Sequence, residues 1–228
     1  MYKVNKLYLK EYWDIPVEYH PTTSGRIIIN IPGAGGSVKG YMNKYVNLGD
    51  HIQDKGFASF VRIPNDRPQE FLNTGRSVVN YCLEHSKEIC DEDTPELWLM
   101  GFSAGGASAL LTAWEYPEIT KVLAINPFIE TVRDNIRRYL PEYKGKLYIV
   151  TGENDKVIGS DTAEYIKKFA SNVSDLQTHA IPNCDHQLKG DDNARILSQL
   201  PEYYFLGEYQ TKNFPDSTYG YNLLSSLT

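Results

Sequence analysis

The sequence carries no surplus of positive charge: 23 Lys and Arg stand against 29 Asp and Glu, for a formal net charge of -6. Nucleic acids and anionic bilayers recruit basic faces, so neither is an expected partner. No apolar run approaches the roughly 20 residues that a spanning helix needs. The opening Met1-Tyr2-Lys3-Val4-Asn5-Lys6 lacks the apolar core of a signal peptide, so a cytoplasmic location is expected. Cysteine is scarce. Three thiols, Cys82, Cys90 and Cys184, cannot all pair. The pattern predicts one helix carrying Cys82 and Cys90, about 12 Å apart along its axis, too far for a disulfide. Reduced thiols are expected. Metal-ligand spacing is also missing from the His, Cys and carboxylate positions, which predicts a site without metal or other cofactor. The one glycine-rich turn, Gly33-Ala34-Gly35-Gly36, has neither the Lys-Ser/Thr of a phosphate-binding P-loop nor G-x-G-x-x-G spacing.

What is present is an ordinary globular composition, 41% hydrophobic and 23% charged over 228 residues, enough for one domain over 1–228 with a real core. Residues 1–20 alternate polar and apolar as an edge hairpin, with Pro16 suited to an edge strand. Apolar runs at 26–31, 97–100 and 121–126 read as strands buried on both faces, and 57–63, 146–151 and 176–181 read as further strands. Between them lie helical patterns at 41–55, with Tyr41, Tyr45, Leu48 and Ile52 on one stripe, and at 66–89, capped by Asp66 with Phe71, Gly75, Val78, Val79 and Cys82 buried. Further helices are expected at 107–114, 131–140, 161–173 and 191–200, the fifth of these six capped by Asp161 with Glu164 closing a capping box. Alternation from 26 to 200 predicts an α/β fold: a three-layer α/β/α sandwich around a mostly parallel sheet of about eight strands. Residues 202–228 form a Tyr-rich tail. The tail and the sheet edges permit a homodimer without requiring one.

The stretch Glu96 to Ala113 organises the chain. An apolar strand runs into Gly101-Phe102-Ser103-Ala104-Gly105, and an Ala- and Leu-rich helix follows. A G-x-S-x-G between strand and helix is a nucleophile elbow, a turn so tight that the serine stands exposed at its tip. In a parallel sheet ligands bind at the carboxyl ends of the strands. At that edge the sequence also places Gly33 to Gly36, Gly152 to Val157, and Asn183-Cys184-Asp185-His186. A serine hydroxyl needs an imidazole to take its proton, the imidazole needs a carboxylate, and the oxyanion needs two fixed N–H donors. His186 suits the base; His20, His51, His85 and His179 fall at a turn, on helices or inside a strand. Asp155 suits the acid, with Glu153 the nearest alternative and Asp161 and Asp185 behind it. Ala104 N–H and Ala34 N–H, with Gly35, are the candidate donors. Cys184 reads as packing.

Here the chain resembles the α/β-hydrolase superfamily over roughly 26–200, as a serine esterase- or lipase-like member without a large cap domain. The order Ser103, Asp155, His186 is the superfamily's order, Gly152…Asp155…Val157 resembles its acid turn, and Pro32-Gly33-Ala34-Gly35-Gly36 resembles its oxyanion turn, with proline where many members have histidine. The resemblance implies a carboxylesterase-type serine hydrolase acting on a small-molecule ester of small to medium acyl length. A thioesterase, a serine peptidase or a catalytically silent binding protein on the same scaffold are the alternatives. Only Pro127 to Glu130 separates the strand at 121–126 from the next helix, so the site should be open. Phe128, Ile129, Tyr41 and Met42 are expected as its apolar wall.

Overall fold

The computed structural model describes residues 3–9, 13–66 and 71–215, with side chains over 15–66 and 73–215. Eight strands form one sheet: β1 (Lys3–Leu9), β2 (Trp13–His20), β3 (Arg26–Ile31), β4 (Ser59–Arg62), β5 (Glu96–Phe102), β6 (Ile119–Ile125), β7 (Lys146–Gly152) and β8 (Asp175–Ile181). Their order is β1-β2-β4-β3-β5-β6-β7-β8, antiparallel from β1 to β4 and parallel from β4 to β8.

The continuous apolar strands are explained by burial on both sides. Ile27, Ile29 and Ile31 face one core with Leu97 and Leu99, while Ile28 faces a second core with Trp98 and Met100. The first core is closed by α2 (Phe71–Glu84), α3 (Ser86–Cys90), α4 (Ala104–Thr112), α5 (Arg133–Tyr139) and α6 (Thr162–Phe169). The second is closed by α1 (Lys44–Lys55) and α7 (Asp191–Phe205). This is the expected three-layer arrangement. Pairings Ile31↔Gly101, Phe102↔Ile125, Ile125↔Val150 and Gly152↔Ile181 keep the carboxyl ends of β3, β5, β6, β7 and β8 level. The loops leaving those ends therefore share one edge.

Several local expectations are corrected. The first helix begins at Lys44, because Gly40, Met42 and Asn43 all have positive φ (70°, 49° and 58°) and hold 41–43 as a separate turn. Tyr41 is thus 81% exposed and not on the buried stripe of Tyr45, Leu48 and Ile52. The long helix expected over 66–89 is two helices, since His85 leaves helical geometry at φ -112°, ψ 18°. Cys82 and Cys90 sit on different helices, and both are free and buried. Residues 67–70 and the Phe71 side chain lie outside the described residues. Asp161 makes no cap bond. Both of its oxygens are instead taken by Arg133, at 2.8 and 2.7 Å, and Glu164 pairs with Lys167 rather than closing a capping box. Pro16 is not on the sheet edge, but β2 meets β4 only over Glu18–His20, so Pro16 has a strand on one side alone. The Tyr-rich tail begins inside α7, where Tyr203 and Tyr204 are buried; Tyr219 and Tyr221 lie outside the described residues.

Candidate active site

The elbow begins with two glycines that tolerate no side chain. A Cβ on Gly101 would lie 2.3 Å from Gly105 O, and one on Gly105 would lie 2.1 Å from Ile31 O. Backbone contact this close brings α4 down onto β3 and β5 and forces a sharp turn between them. Ser103 sits at its tip with φ 51°, ψ -119°, a conformation that costs a non-glycine residue on the order of 1–3 kcal/mol. The end of β6 and the loop after it hold it there: Ser103 N–H donates to Ile125 O at 3.0 Å, and Ser103 O accepts from Phe128 N–H at 2.9 Å. All nine residues of α4 are buried, so the helix that starts at Ala104 cannot drift.

The structure brings Ser103, His186 and Asp155 into one chain of hydrogen bonds. His186 Nε2 lies 2.9 Å from Ser103 Oγ, and His186 Nδ1 lies 2.7 Å from Asp155 Oδ2. The Asp155 side chain is 1% exposed, and its other oxygen accepts Val157 N–H at 2.8 Å and Ile158 N–H at 3.2 Å. Two backbone donors thus fix one oxygen and aim the second at the imidazole. The rival acids are engaged elsewhere: Asp161 with Arg133, Asp185 with Gln187 N–H and Lys189 N–H, while Glu153 is exposed. Cys184 packs inside, and burial pushes its thiol up to about 11. His20, expected at a turn, ends β2 and is fully buried.

Of the three candidate oxyanion donors, two fit. Ala104 N–H opens α4 and has no helical carbonyl to bond. Ala34 N–H makes none of the turn's backbone hydrogen bonds, and the turn is close: a Cβ on Gly33 would lie 3.2 Å from Ser103 Cβ. Gly35 does not fit, because its N–H already donates to Asn65 O at 2.8 Å. Of the four residues expected as an apolar wall, two line the cleft. Tyr41 and Met42 line the cleft at Ser103, exposed at 81% and 77%. Ile129 does not, being fully buried in the first core, and Phe128, half-buried, reaches the site through its N–H, which donates to Ser103 O.

A family model for the dienelactone hydrolase family matches residues 40–203. The chain belongs to that family. Among solved structures, Est1E from Butyrivibrio proteoclasticus is similar with a TM-score of 0.70 at 13% identity, over 91% of this chain and 99% of that one. A dienelactone hydrolase from Anabaena variabilis gives 0.69 at 17% identity, over 91% and 97%. An esterase from Pyrococcus furiosus gives 0.69 at 14% identity, over 94% of both chains. These likenesses show the fold that this dienelactone hydrolase family member shares with them.

Three residues of the site were not singled out by sequence. Asn126, at φ 43° and 1% exposed, donates to His186 O at 3.0 Å and Asp185 O at 3.3 Å, and accepts Gly152 N–H at 2.7 Å. It therefore staples the loop bearing the histidine to the strand that leads into the acid turn. Asn65 holds the glycine turn. Both follow the carboxyl ends of strands, β6 and β4, so the edge rule that found His186 would have found them had it been applied to every strand. Lys44 had no such signal. Its ammonium lies 4.8 Å from the Phe102 ring centre and 5.0 Å from that of Tyr45, on the wall of the cleft, and burial holds its pKa below the usual lysine value. The cleft itself is a broad open groove of about 2280 Å³ running from Ser103 between α1 and α7. No inserted domain stands between β6 and α5; residues 126–132 join them directly.

Proposed function

We propose that this member of a hydrolase family cleaves carboxylic esters of small to medium acyl length through an acyl-serine intermediate. The observation that carries the reading is the unbroken run from Asp155 through His186 to Ser103 Oγ, at 2.7 and 2.9 Å, opening into a cleft. In the first half-reaction Ser103 Oγ attacks the ester carbonyl while His186 Nε2 takes its proton. The developing oxyanion is received by Ala104 N–H and Ala34 N–H. As the carbonyl re-forms, the C–O bond to the alcohol breaks and His186 returns the proton to the departing oxygen. Water repeats the sequence on the acyl-serine, its proton passing to His186 and then back to Ser103. Asp155 keeps the imidazole in the tautomer with Nε2 unprotonated and stabilises the cation that forms.

The open cleft and the short 126–132 connection support small or medium esters over long lipid chains. Tyr41 and Met42 offer apolar contact on the rim, while Val157, 49% exposed, offers it on the acid turn. Free, buried thiols are compatible with a cytoplasmic setting. A fluorophosphonate probe tests the nucleophile: the wild type labels covalently and Ser103→Ala does not. Hydrolysis of p-nitrophenyl acetate that survives Ser103→Ala would refute the reading. Activity rising steadily from acetyl to long acyl esters would replace it with a lipase-like one.

A further inference from the structure

We infer that Asn65 is a positioning residue for the reaction, one that sets the Ala34 N–H where the oxyanion forms. The inference rests on the serine-hydrolase reading above and extends it to a residue outside the catalytic relay. Asn65 follows β4, a strand that contributes no residue to the relay. It is 2% exposed and makes three bonds to the turn between Pro32 and Gly36. Its Nδ2 donates to Pro32 O at 2.8 Å, at the entry to the turn. Its backbone carbonyl accepts Gly35 N–H at 2.8 Å, and its N–H donates to Gly36 O at 2.8 Å, forming an isolated two-residue bridge at the exit. Gly36 N–H closes back on Gly33 O at 2.9 Å.

These bonds occupy two of the amides the turn could offer. Gly35 N–H faces Asn65 and Gly36 N–H faces Gly33, leaving Ala34 N–H between two clamped neighbours. The far shoulder of the same loop is fastened from the same strand, since Arg62 Nη1 donates to Val38 O at 3.0 Å. A turn containing three glycines has little stiffness of its own. Its shape is imposed from β4 and the residues after it, and the Asn65 amide is the side-chain contact made to the turn between Pro32 and Gly36 itself, which a mutation removes while leaving the backbone bridge intact. An oxyanion donor displaced by about 1 Å is largely lost to catalysis, and removal of one such donor costs about 100- to 1000-fold in rate.

The experiment compares Asn65→Ala and Asn65→Asp with the wild type on a neutral ester such as p-nitrophenyl acetate, and measures inhibition by a trifluoromethyl ketone. Such a ketone adds to the serine as a tetrahedral oxyanion and so reports the donors directly. Both variants are expected to lose about 10- to 100-fold in kcat, with KM within about twofold, and ketone affinity should fall in proportion to kcat/KM. Asn65→Asp keeps the side-chain volume and serves if the alanine variant does not fold. A variant with lowered Tm but unchanged kcat and ketone affinity overturns the inference, as does a loss confined to KM. A wild type that neither binds the ketone nor labels with a fluorophosphonate refutes the serine reading itself, which no behaviour of the Asn65 variants alone can do.

Discussion

At the scale of single residues, the site separates acids by geometry where charge alone does not. Asp155, Glu153, Asp161 and Asp185 are all carboxylates near the same edge, yet only the Asp155 carboxylate reaches His186, at 2.7 Å. Its remaining oxygen is occupied by Val157 and Ile158 N–H. Asparagine at 155 can keep both of those contacts through its Oδ1, but its Nδ2 would then donate to His186 Nδ1 and hold the imidazole in the wrong tautomer. Asp155→Asn should therefore lower kcat by about 10⁴ while the thermal midpoint and KM stay near wild type. Glu153→Gln, on an exposed side chain with no bond to His186, should leave kcat within a factor of about two; a large loss there would transfer the acid's role. Steady-state kinetics on one activated ester reads both. Asn126 belongs to the same scale. Both its amide hydrogens and its oxygen are engaged, and it sits in the left-handed region, where asparagine is tolerated better than most residues.

At the scale of elements, the elbow is a contact between α4 and the ends of β3 and β5. Gly105→Ala would put a methyl 2.1 Å from Ile31 O and 2.4 Å from Pro32 O, both backbone atoms that cannot swing aside. Overpacking of that kind costs on the order of 3 kcal/mol, or roughly 6–12 °C in Tm for a chain of this size. Because Pro32 opens the oxyanion turn, activity should fall further than the change in folded fraction explains; thermal unfolding and activity on the same sample separate the two. This element was legible in sequence because each of its parts is local: an apolar run, two glycines around a serine, then alanines and leucines. The double-faced strands were legible for a similar reason, since burial on both sides of a parallel sheet removes alternation. What could not be read depends on partners far along the chain. Arg133 draws Asp161 from its capping role, Asn65 O takes the Gly35 N–H, and the interruption at His85 splits one amphipathic pattern into two helices. Ile129 sits in an apolar stretch beside the site, and nothing in the stretch itself says that it turns inward into the first core.

At the scale of the whole molecule, the three layers bury one histidine outside the Ser103–His186–Asp155 hydrogen-bond chain, and this ties stability to pH. His20 ends β2 fully buried, packed near Phe60 with ring centres 6.3 Å apart, and close to the Arg62–Glu18 pair and Asp50. Burial, and next to it the Arg62 guanidinium, lowers its pKa from 6.5 to about 4. Between those values the unfolded chain binds a proton that the folded chain refuses. Stability contributed by the neutral ring is thus complete above pH 6.5 and lost as pH falls from 6.5 to about 4, by an amount on the order of 3 kcal/mol. Glu202 adds a second loss at lower pH. The hydrogen bond from His51 holds its pKa below the usual glutamate value, so its contribution is present above that value and disappears as the pH falls through the lowered one. Thermal midpoints measured from pH 8 to 4 should accordingly be flat down to about 6.5 and then decline. In His20→Gln the decline between 6.5 and 4.5 should shrink, although the midpoint at pH 8 is lower than in the wild type. An unchanged slope in that variant would mean that the acid sensitivity comes from the carboxylates alone.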